Sequence, residues 1–497
     1  MGQARFEAPD FYRPGGKYGL LPFHFMQFTP DTKLVVNEVG EHLLLSNSDF
    51  DTFITHQLDQ GSNLYFDLKA KHFLFDSGSP VPIHLLAIKY RTKKSFLAGF
   101  TKLHIFVVTL RCEHSCPYCQ VSRVSIDKSR YDMAPETASR ALEFVFRSRA
   151  HEIKIEFQGG EPLLNFERIR QIVEEAEVLN TSARKQLEFV VCSNLALLTD
   201  EMLEFFRKHH VLVSTSLDGP ASVHNINRPR PGGNSYELAI KGIHRVQEVL
   251  GKERVSALMT TTRHSLRYPR EIVNEYVANG FCSIFLRPIS PYGFAARTRR
   301  ATGYTIEQFL DFYKQALDYI LELNRSGIFF VELYARLLLT RILTPFPTGY
   351  VDLQSPAGAG IGVAVYNYDG DVYATDESRM LAEMGDKKFR LGNVHADSYE
   401  QVFGGEFLRT VTASSCVESM PGCADCAFQS FCGADPVHNY ATQGDIMGHR
   451  PTSEFHKRNF AIIKHLLTIY HSDPIAKEIF WSWVRNAPLY GSQETSQ

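Results

Sequence analysis

An α/β fold built on a parallel sheet follows from three observations in the middle of this 497-residue chain. Between about 100 and 330, strand-like apolar runs alternate with helical periodicity, glycines stand where helices should stop, and the cysteine-bearing and glycine-rich sequences fall just after the strands. Strands are expected near His104–Thr109, Ile153–Phe157, Leu187–Cys192, Val211–Ser216, Val255–Thr260 and Ser283–Arg287. The helices between and after them fall near 135–147, 165–180, 200–209, 235–250, 268–279 and 305–325, with Gly251 and Gly280 at C-terminal stops. Six such units mean a parallel sheet, either curled as part of a TIM-like barrel or open and doubly wound. Cys112, Gly159-Gly160-Glu161, Ser193-Asn194, Asp218-Gly219, Thr261-Thr262 and Arg287 lie at or just after strand ends, the face on which sheets of this class hold ligands.

The flanks read differently. Residues 1–98 offer two strands, Leu21–Phe28 and Leu34–Leu45, then two short helices, Asp49–Leu58 and Asn63–Phe73. After about 330 the alternation stops, Leu353–Phe460 is rich in Gly, Asp and Cys, and a closing helix near Asp473–Val484 carries Trp481 and Trp483. This division agrees with the two to four folding units expected of such a length.

Composition narrows the class. Hydrophobic residues are 44 % and charged residues 22 %, as in ordinary globular proteins, and a net charge of -2 leaves no basic field to attract nucleic acid. Apolar runs such as Ile105–Leu110 are far shorter than the roughly 20 residues a membrane helix needs. The start, MGQARFEAPD, lacks the apolar core of a secretory signal and Phe6 breaks the myristoylation pattern, so a cytoplasmic protein without membrane attachment is expected. Nine cysteines in such a chain argue for metal binding rather than a disulfide framework, and seven of them, counting Cys416 with the later group, fall in two clusters.

The first cluster is Cys112-Glu113-His114-Ser115-Cys116-Pro117-Tyr118-Cys119, a C-x3-C-x2-C loop directly after a strand. Three thiolates on one short loop can hold three corners of an iron-sulfur cube and leave the fourth iron open; the competing reading is a zinc site with a distant fourth ligand. With this spacing, and with Tyr118 before the last cysteine, the sequence resembles the radical S-adenosylmethionine superfamily over about 104–290. The resemblance implies a partial (β/α)6 TIM-like barrel in which Cys112, Cys116 and Cys119 bind a site-differentiated 4Fe-4S cluster that cleaves S-adenosylmethionine. Glu156-Phe157-Gln158-Gly159-Gly160-Glu161-Pro162 resembles the family's second motif, so Gly159, Gly160 and Glu161 are expected at the methionine amino group, the glycines allowing close backbone approach to the ligand. Ser193, Asn194 and Ser216 sit where relatives hold the ribose and carboxylate, and Ser216–Pro220 with His224 and Arg228 resembles peptide-modifying members. Cys192 and Cys282, in or beside strands, read as buried small hydrophobes.

The second cluster, Cys423-Ala424-Asp425-Cys426-x5-Cys432, resembles the SPASM extension of peptide-modifying enzymes. In its fullest form that extension has seven cysteines and two auxiliary clusters. Here Ser355, Thr375 and Pro436 stand where three of those cysteines would be, which implies that one auxiliary cluster is gone and one is kept. The resemblance offers His456 as the fourth ligand of the survivor, with Cys416 and His449 as alternatives, and a structural zinc held by three thiolates and a histidine stays open. Asp376, directly after Thr375, matches a carboxylate that serves as a base in some relatives. Gly358-x-Gly360-x-Gly362 is a weak phosphate loop, since no strand and helix frame it.

Over nearly the whole chain the sequence resembles the His-Xaa-Ser system radical S-adenosylmethionine maturases, on phrases such as Leu103–Leu110, Phe157–Phe166 and Cys432-Gly433-Ala434-Asp435-Pro436. That implies a precursor peptide with His-Xaa-Ser repeats as substrate, oxidative side-chain cross-linking as the reaction, a second radical maturase as a partner and an external electron donor. The organisation implied is a winged-helix-like peptide-recognition domain over 1–98, the barrel over 99–330, a SPASM-like auxiliary domain over 331–465 and a C-terminal helix and tail over 466–497. The rival readings are a formylglycine-forming anaerobic sulfatase maturase and a non-catalytic peptide-binding module on a structural metal.

Overall fold

Five central strands and a short sixth run parallel in the order the alternation requires. The computed structural model describes residues 18–76, 79–121 and 127–489. The segment MGQARFEAPD lies outside them. Among the described residues no helix is long and apolar enough to cross a membrane. The chain forms two units. The larger comprises Phe96–Leu338, Gly349–Cys416 and Gly433–Gln497; the smaller comprises Met1–Ser95, Leu339–Thr348 and Val417–Cys432.

In the smaller unit, β1 (Tyr18–Leu20) pairs antiparallel with β5 (Leu74–Asp76), and β2 (Phe23–Thr29), β3 (Thr32–Asn37) and β4 (His42–Ser46) form an antiparallel meander. The expected single strand over Leu34–Leu45 is therefore two strands. The break has a local cause: Asn37 Oδ1 accepts from the backbone N–H of Val39 (3.1 Å) and of Glu41 (3.0 Å), and Gly40 sits at φ +93°, where a side chain would be strained. Helices Asn47–Ile54 and Asn63–Ala70 are capped by Ser46 and Ser62, whose hydroxyls accept from the backbone N–H three residues on. They close over a core of Phe50, Phe53, Tyr65, Leu68 and Phe73. The helix Val81–Lys93 was not foreseen.

The second cysteine run belongs to this smaller unit. Cys426 N–H bonds to the Cys423 carbonyl (3.0 Å), closing one turn, and the buried Arg341 donates to the carbonyls of Ser430 (3.2 Å), Phe431 (2.8 Å) and Cys432 (2.9 Å). A planar guanidinium suits this task because it presents several donors in a fixed fork.

In the larger unit, β6 (Leu103–Thr109), β7 (Glu152–Gly159), β8 (Gln186–Cys192), β9 (Leu212–Ser216), β10 (Val255–Thr260) and the later β12 (Leu286–Arg287) are the parallel series. The expected strand over Ser283–Arg287 is split. Its first half, β11 (Ser283–Ile284), pairs instead with β13 (Val331–Glu332). The fully buried Glu332 carboxylate takes the N–H of Leu286 (3.2 Å), and Arg287 N–H turns back to the Phe285 carbonyl (2.9 Å). Beyond β6 the sheet continues with β14 (Val363–Tyr366), parallel to β6, and then with β15 (Asp371–Tyr373) and β16 (Arg390–Asn393), both antiparallel. The nine-stranded order is β12-β10-β9-β8-β7-β6-β14-β15-β16. Residues after 330 thus extend the central sheet, which the end of the strand-helix alternation did not reveal. Ile105, Val107, Val363, Val365 and Tyr373 pack together across that extension. At the other edge the closing helix Pro474–Arg485 buries Trp483, whose indole N–H reaches Asn324 Oδ1 (3.3 Å).

The Arg341 fork predicts a stability effect. Arg341→Met should leave three carbonyls without their charged donor and lower unfolding stability by about 2–4 kcal/mol in urea titrations. Arg341→Lys should recover only part of it, because one ammonium cannot reproduce the fork. Equal stability of wild type and Arg341→Met would show that the fork adds nothing.

Candidate active site

The cysteine loop leaves β6 at its C-terminal end and is held from several sides within the larger unit. Ser115 N–H bonds to the Pro229 carbonyl (2.7 Å), Phe294 N–H to the Cys119 carbonyl (2.8 Å), and the Thr298 hydroxyl to the Pro117 carbonyl (2.7 Å). Gly160 N–H and Glu161 N–H bond to the carbonyls of Thr109 (2.9 Å) and Arg111 (2.7 Å). A Cβ on Gly159 would lie 2.0 Å from the Thr109 carbonyl oxygen, and one on Gly160 would lie 2.3 Å from that of Arg111. Both glycines are therefore required for β7 to approach the root of the cysteine loop, a different reason from close approach to a ligand.

The loop is locked by a buried ion pair. Asp218, fully buried, accepts from the Tyr118 hydroxyl (2.6 Å) and Thr260 N–H (3.0 Å) and pairs with Arg228 at 3.1 Å. The Arg228 guanidinium also lies over the Tyr118 ring, 5.4 Å from its centroid. Arg111 donates twice to Asp132, at 2.7 Å each, behind the loop. His114 is tied to Ser235 (2.8 Å) and Glu113 (3.0 Å), so the grouping of Cys112, Glu113 and His114 is already internally bonded.

Cys112, Cys116 and Cys119 line a cavity of about 280 Å3 together with Tyr118, Gly159, Gly160, Glu161, Ser193, Asn194, Ser216 and Asp376. The structure brings these eleven expected residues to one space. Glu161, buried to 1 % exposure, accepts from Leu163 N–H (3.0 Å), the Ser193 hydroxyl (2.8 Å) and Asn194 N–H (2.9 Å). Ser193 and Asn194 therefore orient Glu161. Burial, reinforced by Glu113, pushes the Glu161 carboxyl up to about 8 against those three donors, so a cation placed beside it would be strongly favoured. Burial also raises Cys112 and pushes Cys116 up to about 12, against the pull of Arg228. Without metal these thiols stay protonated, so cluster assembly here must release protons.

The donor set fits the implied group: three thiols on one loop facing a cavity, with a buried carboxylate at its side. Asp376 stands at the cavity wall as the first residue of the helix Asp376–Glu383, held by Arg379 Nη2 (2.8 Å), itself fully buried. Two expectations are corrected. Cys192 is only partly buried, lines the cavity and directs its thiol to Glu156 Oε1 (3.2 Å); Cys282 is exposed. Both had been read as packed hydrophobes from their place in apolar runs, but strand side chains face alternate sides and the inward side at the end of β8 is the cavity, while Cys282 stands just before β11 rather than in it. Sequence reasoning gave no role to Glu156 or Gln158 on the cavity wall, and it placed Arg287 and Asp218 at strand ends on the ligand face without assigning either a task.

The second-cluster residues divide between the units. Cys423, Cys426 and Cys432 lie in the smaller one; His456, Cys416 and His449 lie in the larger one. Each alternative ligand has a local partner: His456 Nε2 accepts from Arg450 Nε (3.2 Å), Cys416 Sγ reaches the Thr412 carbonyl (3.5 Å), and His449 Nδ1 meets the Thr452 hydroxyl (3.0 Å). Thr375 forms a capping box with Ser378 at the start of the Asp376 helix, and Pro436 takes the first position of the helix Pro436–Gln443, with Asp435 as its cap.

A parallel barrel-type sheet with a three-cysteine loop and a glycine-bounded carboxylate at its C-terminal face defines a class of enzyme. Residues 106–276 match the family model described as Radical SAM superfamily. Over that segment the chain matches the radical SAM superfamily, the class of enzyme that the site defines, and it is similar to anaerobic sulfatase maturases. The cysteine-type anaerobic sulfatase-maturating enzyme of Clostridium perfringens is 24 % identical over 310 residues, 59 % of this chain and 77 % of that one. The solved structure of anSMEcpe with bound AdoMet and Cp18Cys peptide superposes with a TM-score of 0.61 at 17 % identity, covering 78 % of this chain and 99 % of that one. Streptococcus suis SuiB bound to precursor peptide SuiA gives 0.50 at 12 % identity, covering 88 % and 99 %. Alignments with three further curated relatives span 79, 62 and 48 % of those chains. The match to this enzyme class sets aside the non-catalytic reading.

The lock on the loop is testable. Asp218→Asn leaves Arg228 buried without its counter-charge and should cost about 3–5 kcal/mol of stability by denaturant unfolding. Tyr118→Phe removes one hydrogen bond to a charged acceptor and should cost about 1.5–3 kcal/mol. An Asp218→Asn loss smaller than the Tyr118→Phe loss would refute the ion pair as the anchor.

Proposed function

We propose that this chain is a cytoplasmic radical S-adenosylmethionine maturase that modifies a ribosomally made precursor peptide of the His-Xaa-Ser repeat type by oxidative cross-linking of side chains. The observation that carries the reading is that Cys112, Cys116, Cys119 and Glu161 line one cavity with Asp376 on its wall. When bound, a site-differentiated 4Fe-4S cluster on the three thiolates and S-adenosylmethionine supply a 5'-deoxyadenosyl radical for hydrogen abstraction from the peptide. The chain's own residues do the rest. Glu161, fixed by Ser193, Asn194 and Leu163, receives the α-amino group of the cosubstrate, and Ser216 lies on the same wall for its polar atoms. Tyr118 holds the loop through Asp218. Asp376, oriented by the Arg379 guanidinium at 2.8 Å, takes the proton that leaves the oxidised substrate.

In this reading Cys423, Cys426 and Cys432 would hold one auxiliary 4Fe-4S cluster, whose chemistry would be to take up the second electron; an external donor would supply the first, and a second radical maturase acts alongside. The smaller unit, with its antiparallel meander, grips the precursor's leader. Peptides bound to anSMEcpe and to SuiB support a peptide substrate for a chain of this fold.

Anaerobic reconstitution should give roughly eight irons per chain, the content of two such cubes. Replacing Cys112, Cys116 and Cys119 together with alanine should remove about four of them and abolish 5'-deoxyadenosine formation. Retained cleavage in that variant would refute the assignment. Glu161→Gln should keep the iron and raise the dissociation constant for S-adenosylmethionine at least about tenfold, the effect of losing about 1.4 kcal/mol of charge pairing.

A further inference from the structure

Arg287, on the wall of the cysteine-lined cavity, also lines a second cavity in the larger unit. This one measures about 70 Å3, is walled by Tyr292, Tyr334 and Tyr350, and carries Asp352, Glu377, Asp435 and Arg458. On its other side it shares Pro288, His438, Phe455 and Arg458 with a third cavity of about 330 Å3. A single water needs about 10–15 Å3 of such space, so the middle cavity has room for a side-chain head group. Asp376 and Glu377, consecutive in one helical turn, stand on the walls of the first and second cavities respectively.

With its carboxylates ionised, the middle cavity is one positive charge short. It holds three carboxylates and two guanidinium groups. Arg287 lies 3.7 Å from Glu377, Asp435 caps its own helix through His438 N–H (2.8 Å), and among the described residues Asp352 has no side-chain hydrogen bond or ion pair. His438 does not make up the deficit, since burial, with Arg458, lowers it to about 4. Asp376 is matched by Arg379, and Glu454 on the third cavity is matched by Arg299 at 2.8 Å. Burial and mutual repulsion push Asp352, Glu377 and Asp435 each up to about 7, the response of carboxylates crowded in a buried space where the two guanidinium groups only partly offset them. A separate observation points to a ligand. The Tyr292 hydroxyl, on a residue 1 % exposed, has no hydrogen-bond partner among the described residues and lies within reach of the fields of Asp435, Glu377, Asp352 and Arg287. Buried hydroxyls are rarely left unpaired.

We propose that this pocket is a subsite for one singly charged cationic side chain of the peptide substrate, an ammonium, guanidinium or imidazolium head group that anchors the peptide beside the cysteine-lined cavity. The inference rests on the peptide-maturase reading above. The cation completes the charge balance, its N–H groups donate to the carboxylates and to the Tyr292 oxygen, and the tyrosine faces stabilise it from the sides. A residue close in sequence to the anchored one then faces the first cavity across Arg287.

The test uses the full-length reconstituted protein and four small probes: n-butylammonium, methylguanidinium, imidazolium at pH 6, and neutral 1-butanol. Calorimetric or saturation-transfer titration should find one cation bound at least tenfold more tightly than 1-butanol, and the tightest of the three identifies the side-chain class. Glu377→Gln and Asp352→Asn should each weaken it about tenfold, and Tyr292→Phe about threefold. Asp352→Asn breaks no hydrogen bond, so it carries the test if Glu377→Gln does not fold. Equal binding of 1-butanol, unchanged cation affinity in the folded carboxylate variants, or displacement of the cations by lower concentrations of Mn2+ would each overturn the subsite. Formation of 5'-deoxyadenosine by wild type is measured alongside. Its absence would remove the functional reading, whereas cleavage without cation binding would remove the subsite alone.

Discussion

The buried pair between Asp218 and Arg228 is the constraint on which the active face depends. The loop from Cys112 to Cys119 has almost no regular structure of its own, so its shape has to be imposed by groups from distant parts of the chain. Asp218 does this from the end of β9: it takes the Tyr118 hydroxyl, and it positions Arg228 over the Tyr118 ring. Burying both charges is costly unless their remaining hydrogen-bonding capacity is used. The carboxylate meets that condition with Thr260 N–H as an additional donor, which ties β10 to the same point. Gly159, Gly160 and Gly293 then permit two further backbones to close on the loop, because a Cβ at any of them would collide with a loop carbonyl. Three thiols held this way can meet a metal cluster with little further ordering, which is the physical content of a preorganised site.

What could be read from the sequence was what local spacing determines. The C-x3-C-x2-C loop, the Gly-Gly-Glu turn and the succession of strands are each encoded within ten or so residues, and the structure places them at one end of one sheet. What could not be read depends on contacts between residues far apart. The split at Phe285 follows from Glu332, 46 positions away from the N–H it accepts, and Tyr118 meets a partner 100 residues on. The burial of Cys192 was misjudged for the same reason: an apolar neighbourhood in sequence says that a strand exists, not which of its faces looks into a cavity. The Asn37 turn was a different failure, since the Asn and Gly that break the strand were visible and the apolar residues around them outweighed the signal.

The extension of the sheet by β14, β15 and β16 gives the later part of the chain a direct role at the active face. β15 ends at Tyr373, and Thr375 then caps a helix whose first two residues, Asp376 and Glu377, reach two neighbouring cavities. The capping box explains why Thr375 is well suited to a position where the resemblance would place a cysteine. Its hydroxyl accepts from Ser378 N–H at 3.0 Å, and Ser378 answers to Thr375 N–H at 2.8 Å, so two otherwise orphaned backbone donors are satisfied at a buried helix start. Pro436 is suited to its position in the same way, as a first helical residue with no N–H to satisfy.

These substitutions bear on the electrostatics of the region as well as on its backbone. A site built of thiolates around iron is anionic, and Ser355, Thr375 and Pro436 contribute no such charge. The carboxylates beside them do: Asp352 three residues before Ser355, Glu377 two after Thr375, and Asp435 next to Pro436. All three line one cavity with Arg287 and Arg458. Negative charge is therefore present beside the three positions where the SPASM resemblance would place cysteines, in a buried space. Carboxylates carry out no electron transfer and bind no cluster alone, so this charge acts on whatever enters. A buried cluster of carboxylates beside the cysteine-lined cavity discriminates among substrates by charge before any bond is broken, because an incoming cation relieves part of the cost of burying them.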